Sequence, residues 1–234
     1  IQDSFGWRGE GPTSAFNGDG IDIKIGNQQV LVEGNIIRNL NIGTGISYHS
    51  GDSIITNNVI RNVGMSGGSW PAGIMVDIDD DYGTSVISSN HIQVNDCYGI
   101  NVRGKAVIGP PLIIEKNWIE LSVDNPFAQI GFTAMNSANV TIKNNNATGG
   151  KHAVRILGMA PKNLVIESNN FGYTKIPFFF SSSKLSGLNA LGNKFCKGSL
   201  AFIEWINGVK EKKLDILNRY LAQGDAMEEL DCIK

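Results

Sequence analysis

Four ionisable residues stand at the same place in a repeated motif. Gly20-Ile21-Asp22-Ile23-Lys24, Gly45-Ile46-Ser47-Tyr48-His49, Gly73-Ile74-Met75-Val76-Asp77 and Gly99-Ile100-Asn101-Val102-Arg103 each open on Gly-Ile and then alternate. If these segments are strands stacked in register, equivalent side chains form columns at about 4.8 Å spacing. One column then reads Lys24, His49, Asp77, Arg103, Met135, Leu157, and its neighbour reads Asp22, Ser47, Met75, Asn101, Thr133, Arg155. Two chemistries suit these residue types. His49 beside Asp77 makes a general base whose imidazolium the carboxylate stabilises. Lys24 and Arg103 would neutralise a uronate carboxylate, which eases removal of the proton on the adjacent carbon, as in a lyase or C5-epimerase. The other chemistry is inverting glycoside hydrolysis by Asp22 and Asp77. Their backbones would lie roughly 10–12 Å apart, at or past the about 6.5–9.5 Å that the reaction needs between carboxyl groups. Asp79 or Asp19 is the substitute partner. The plainest alternative is a run of exposed salt bridges, which contribute little.

Around this column, Asn101, Lys105, Arg155 and Asp79 are candidate substrate contacts. Trp70, in the Gly67-Gly68-Ser69-Trp70-Pro71 excursion, is the aromatic expected to stack on a sugar face. Asp79-Asp80-Asp81 reads as a solvated turn, with calcium bound through carboxylate oxygens as its alternative. No other cofactor and no metal site is indicated. His91 and His152 read as lone surface histidines.

What must position the column is a second repeat, apolar-x-apolar-x-x-Asn-x-apolar. Its asparagines are Asn35, Asn58, Asn90, Asn117, Asn145, Asn169 and Asn193, separated by 23, 32, 27, 28, 24 and 24 residues. A period in the twenties marks a solenoid of coils that bury a core only by stacking. Asn suits the turn because it tolerates the left-handed conformation and bonds nearby backbone, and stacked Asn makes an amide ladder. The Gly-Ile motif keeps step with the Asn motif, so both are strands of one coil. The expected fold is all-β, a right-handed parallel β-helix solenoid of about seven to eight coils with a C-terminal capping helix. Residues 1–19 read as an irregular lead-in that continues a longer N-terminal part, 20–208 as the β-helix and 209–234 as the helical cap, where Leu214, Leu217 and Leu221 recur at helical spacing. An antiparallel sandwich would not need Asn once per coil.

Composition narrows the function classes. The 234 residues carry 18% charged side chains, 28 glycines and a net charge of −2. Without a sustained basic run there is no footprint for nucleic acid, and no apolar run reaches membrane-spanning length. Three cysteines without motif spacing do not make a disulfide framework.

The repeat resembles the pectin-lyase-like superfamily of right-handed β-helices, which includes polysaccharide lyases, polygalacturonases, alginate C5-epimerases and phage tailspikes. The resemblance covers residues 20–200. It implies a polysaccharide partner, a secreted, cell-surface or virion-associated location and, in the tailspike case, a homotrimer. Asn17-Gly18-Asp19-Gly20-Ile21-Asp22 is similar to the Asn-Thr-Asp-Gly-Ile-Asp stretch of polygalacturonases, which makes Asp19 a catalytic candidate. Thr44-Gly45 stands where their paired Asp-Asp would be. The Lys24, His49, Asp77, Arg103 set is similar in type to that of β-helical epimerases and lyases, without the epimerases' Asp-Pro-His. A non-catalytic glycan-binding solenoid is the alternative to an enzyme.

Overall fold

The computed structural model describes residues 19–24, 29–40, 43–49, 52–63, 71–77, 83–104, 111–135, 139–157, 161, 163–174, 176–181, 188–196, 203–205 and 229–230. They form a parallel β-solenoid with three sheets. The first sheet stacks β1 (Ile21–Ile23), β4 (Ile46–Tyr48), β7 (Ala72–Asp77), β10 (Tyr98–Gly104), β13 (Ala128–Met135), β16 (His152–Leu157), β19 (Ile176–Phe180) and β22 (Ile203–Trp205). The second stacks β2 (Val30–Glu33), β5 (Ser53–Thr56), β8 (Ser85–Ser88), β11 (Leu112–Glu115), β14 (Asn139–Lys143), β17 (Asn163–Glu167) and β20 (Leu188–Leu191). The third runs β3 (Ile36–Leu40), β6 (Val59–Val63), β9 (His91–Val94), β12 (Trp118–Leu121), β15 (Asn146–Thr148), β18 (Asn170–Gly172), β21 (Lys194–Cys196) and β23 (Glu229–Leu230). From β1 to β22 strands three apart in the chain pair in parallel, as a coil period requires, and β23 pairs with β21. The expected capping helix lies outside the described residues except for Glu229–Leu230, which extend the third sheet as a strand beside Phe195 and Cys196.

Each strand places alternate apolar residues inward, because successive side chains point to opposite faces. Ile46, Ile74, Ile100 and Ile130 from the first sheet meet Ile55, Ile87, Ile114 and Ile142 from the second and Ile60, Ile92 and Ile119 from the third, all at most 1% exposed. Burying one such side chain contributes about 1.5–3 kcal/mol. The Gly of each Gly-Ile pair has a steric cause. A Cβ on Gly45 would sit 2.5 Å from the Gly73 carbonyl oxygen and 2.6 Å from Ile60 Cγ2, and Gly20, Gly73 and Gly99 are placed alike.

The seven motif asparagines form an unbroken ladder. Asn35 Nδ2 donates to Asn58 Oδ1 at 3.0 Å, and the series continues through Asn90, Asn117, Asn145 and Asn169 to Asn193 at 2.8–3.0 Å. From Asn58 onward each amide also reaches a backbone carbonyl of the preceding coil, as Asn117 Nδ2 does to Ile87 O at 2.9 Å, whereas Asn35 Nδ2 donates to Glu33 O. The left-handed residue is not the ladder Asn, as expected, but the one before it: Gly34, Asn57, Ser89, Lys116, Asn144, Ser168 and Gly192, with φ of 55–69°. The ladder Asn is instead selected by its amide, whose donors and acceptor match the backbone of two neighbouring coils.

Candidate functional site

Parallel register brings the predicted ionisable column together on the outward face of the first sheet. His49 N–H donates to Ile23 O at 2.9 Å, which seats His49 beside Lys24, and Arg103 pairs directly with Asp77 between β10 and β7. The side chains then alternate in charge. Lys24 Nζ bonds Asp22, whose Oδ1 lies 3.8 Å from His49 Nε2. On the other side of the ring, His49 Nδ1 lies 3.5 Å from Asp77 Oδ2, and that oxygen accepts from Arg103 Nε at 2.7 Å. Arg103 therefore spends one donor on Asp77 and keeps its terminal NH2 groups. His49 and Asp77 are 18% and 13% exposed, so the imidazole can be reached but is mostly desolvated.

Sequence reasoning missed Ser47. Its Oγ lies 3.0 Å from His49 Nε2, so Ser47, His49 and Asp77 stand in the order of a nucleophilic triad. Ser47 is fully buried, however. No substrate carbon reaches its hydroxyl, which orients the ring rather than attacks. With Asp77 beside Nδ1, the favoured tautomer carries its proton there and leaves the lone pair on Nε2. The hydrolase pairing meets a different obstacle. The imidazole fills the space between Asp22 and Asp77, where an inverting enzyme would hold its attacking water.

The column beside the ionisable one was expected to face solvent, yet Ser47, Met75 and Asn101 are at most 5% exposed. The first sheet is thus buried on both faces there, as parallel sheets commonly are. Asn101, expected as a substrate contact, instead accepts from Thr133 Oγ1 at 3.2 Å inside this layer. The register of β13 also differs from expectation. Asn101 pairs with Gly131, Arg103 with Thr133, and Gly104 with Met135 after a register shift. The cause is Tyr98: a Cβ on Gly131 would lie 2.4 Å from its ring. Gly131 is a slot for that ring, not the Gly of a Gly-Ile pair, and Gln129 takes that place. Arg155 keeps its expected column, opposite Gly131 on β16, two coils beyond Asn101.

Asp19 accepts from Thr44 N–H at 2.8 Å. Burial raises its pKa, against the lowering by this hydrogen bond, and the Asp22 charge raises it further. Its position is that of a brace across the turn before the next coil. His152 was expected at the surface but is buried against Phe179, ring centroids 4.8 Å apart. His91 does sit on the outer side of the third sheet, with its ring 6.4 Å from that of Trp118. Trp70, Asp79, Asp80, Asp81 and Lys105 lie outside the described residues.

Residues 7–201 match the model of the NosD family, described as periplasmic copper-binding protein (NosD). The chain belongs to the NosD family. No curated protein and no solved structure matches it. The family name raises copper, and the described residues do not fit it. Among them no group of three His, Cys, Asp or Glu side chains could hold a metal ion. Asp22 and Asp77, the carboxylates beside His49, are taken by Lys24 and Arg103. The Cys97 thiol is pushed up to about 12 by burial and bonds Val63 O, which denies copper its thiolate. Among the described residues no helix is long and apolar enough to cross a membrane.

Proposed function

We propose that this NosD-family chain acts on an extended acidic polysaccharide along the first sheet, by removing the proton next to a uronate carboxylate. The observation that carries the reading is His49, desolvated, held by Asp77 on one nitrogen and flanked by two cations. The uronate carboxylate binds the free guanidinium donors of Arg103, with Lys24 at the far end, and the negative charge that develops on it is stabilised there. His49 Nε2 exchanges its contact with Ser47 for the C5 proton, and Asp77 steadies the imidazolium. In elimination the electron pair forms C4=C5 as the C4–O4 bond breaks, and the departing oxygen takes a proton from solvent. In epimerisation C5 is reprotonated from the opposite face. The resemblance to β-helical lyases and epimerases supports this chemistry, and the word periplasmic in the family description supports a cell-envelope or secreted location.

A second reading is a glycan-binding solenoid without catalysis. It is favoured by the ion pairs themselves, since Lys24 and Arg103 are already partnered by Asp22 and Asp77. A panel of polygalacturonate, alginate and neutral polysaccharides separates the two. Unsaturated-product absorbance or a changed C5 configuration on an acidic polymer marks the enzyme, new reducing ends without unsaturation mark a hydrolase, and retention without any product marks the binder.

A further inference from the structure

Arg155 stands without an acidic partner among the described residues. Among the described residues no carboxylate lies within ion-pair distance of it, and its Nε is buried with no hydrogen-bond partner. The guanidinium is nonetheless held in place. Nη1 donates to Tyr98 Oη at 3.2 Å, and the guanidinium carbon sits 5.3 Å from the centre of the Phe179 ring. Tyr98 itself is fixed, its ring over Gly131 and 4.9 Å from that of Phe127. A guanidinium clamped by a hydroxyl and an aromatic face, with Nη1 the one nitrogen bonded among the described residues, keeps Nη2 for the planar fork that recognises a carboxylate.

Its position names the ligand class. Arg155 lies on the same outward face as Arg103, on β16 against β10, with one strand between them. In register Arg155 stands opposite Asn101, two residues aside from Arg103, and two strand spacings are about 10 Å, so a polymer lying obliquely along this face meets both guanidinium groups.

We infer that Arg155, positioned by Tyr98 and Phe179, is a second carboxylate subsite, and that the face takes an oligouronide rather than a single sugar. The polymer's identity rests on the function proposed above, while the anion site itself does not. The test is binding of polygalacturonate and alginate, each beside its carboxyl-reduced counterpart, by affinity electrophoresis. A His49→Ala background prevents turnover. Arg155→Gln should weaken binding of one acidic polymer by about tenfold or more, the worth of a charge-assisted hydrogen bond, and leave any binding of the reduced polymer unchanged. Arg155→Lys keeps the charge without the fork, should fall between, and serves if the Gln variant does not fold. Equal retention of Arg155→Gln and the parent overturns the subsite and leaves the proposed chemistry standing. If the parent binds neither acidic polymer, subsite and proposed function fall together.

Discussion

His49 is contacted on both nitrogens, and the two contacts do different work. Asp77 fixes the tautomer, while buried Ser47 fixes the ring plane. Replacing His49 by Ala should lower product formation by about 10²-fold or more, the usual worth of a general base. Equal rates in the two proteins would remove His49 from the chemistry. His152 makes a separate prediction. Burial first, then the nearby charges of Arg155 and Lys151, lower its pKa to about 3 from an ordinary 6.5. The folded state therefore favours the neutral ring. That contribution is present above about pH 6.5 and is lost as pH falls towards 3. A His152→Leu variant should show a flatter acid limb in a melting temperature against pH series, and parallel curves would contradict the assignment. Nothing in the sequence near His152 distinguished it from His91. Burial here depends on Phe179 in the next coil, which single-strand alternation does not reveal.

At the scale of the strand and turn, the Asn ladder is the element that holds coil to coil. In Asn117→Ala the Asn90 N–H and Nδ2 and the Ile87 carbonyl lose their partners. Each group left unpaired costs about 1–3 kcal/mol, so the urea midpoint should drop clearly. Asn35, at the half-buried end of the ladder, should cost less on the same change. Similar losses at both positions would argue against the buried ladder as the source. Gly131→Ala puts a methyl against the Tyr98 ring and should cost about 1–3 kcal/mol, the range for overpacking, as a lowered melting temperature. The ladder was legible because its asparagines recur once per coil at a fixed place in the motif. The register of β13 was not, because Gly131 mimics the Gly of a Gly-Ile pair while answering to Tyr98 some thirty residues earlier.

Across the whole molecule, a stack of coils carries information in two directions. Along the chain the period was readable from the sequence, and with it the three-sheet solenoid and the column Lys24, His49, Asp77, Arg103 that the structure assembles. Across the stack it was less so. Alternation reads the same whether an outward residue meets water or a covering layer, which is why Ser47 and Asn101 were placed on an open face and are buried. The Ser47 contact that orients His49 was missed for the same reason. The family match gives the lineage, the described residues offer no copper site, and the carboxylate chemistry proposed above remains to be tested on the outward face. The most direct test follows the C5–H signal of polygalacturonate and alginate by proton magnetic resonance in D2O, since elimination and epimerisation both remove that proton. The wild-type chain should erase the signal on at least one polymer, and His49→Ala should leave it in place. A C5–H signal that persists with the wild-type chain on both polymers, or is lost equally with His49→Ala, would contradict the account.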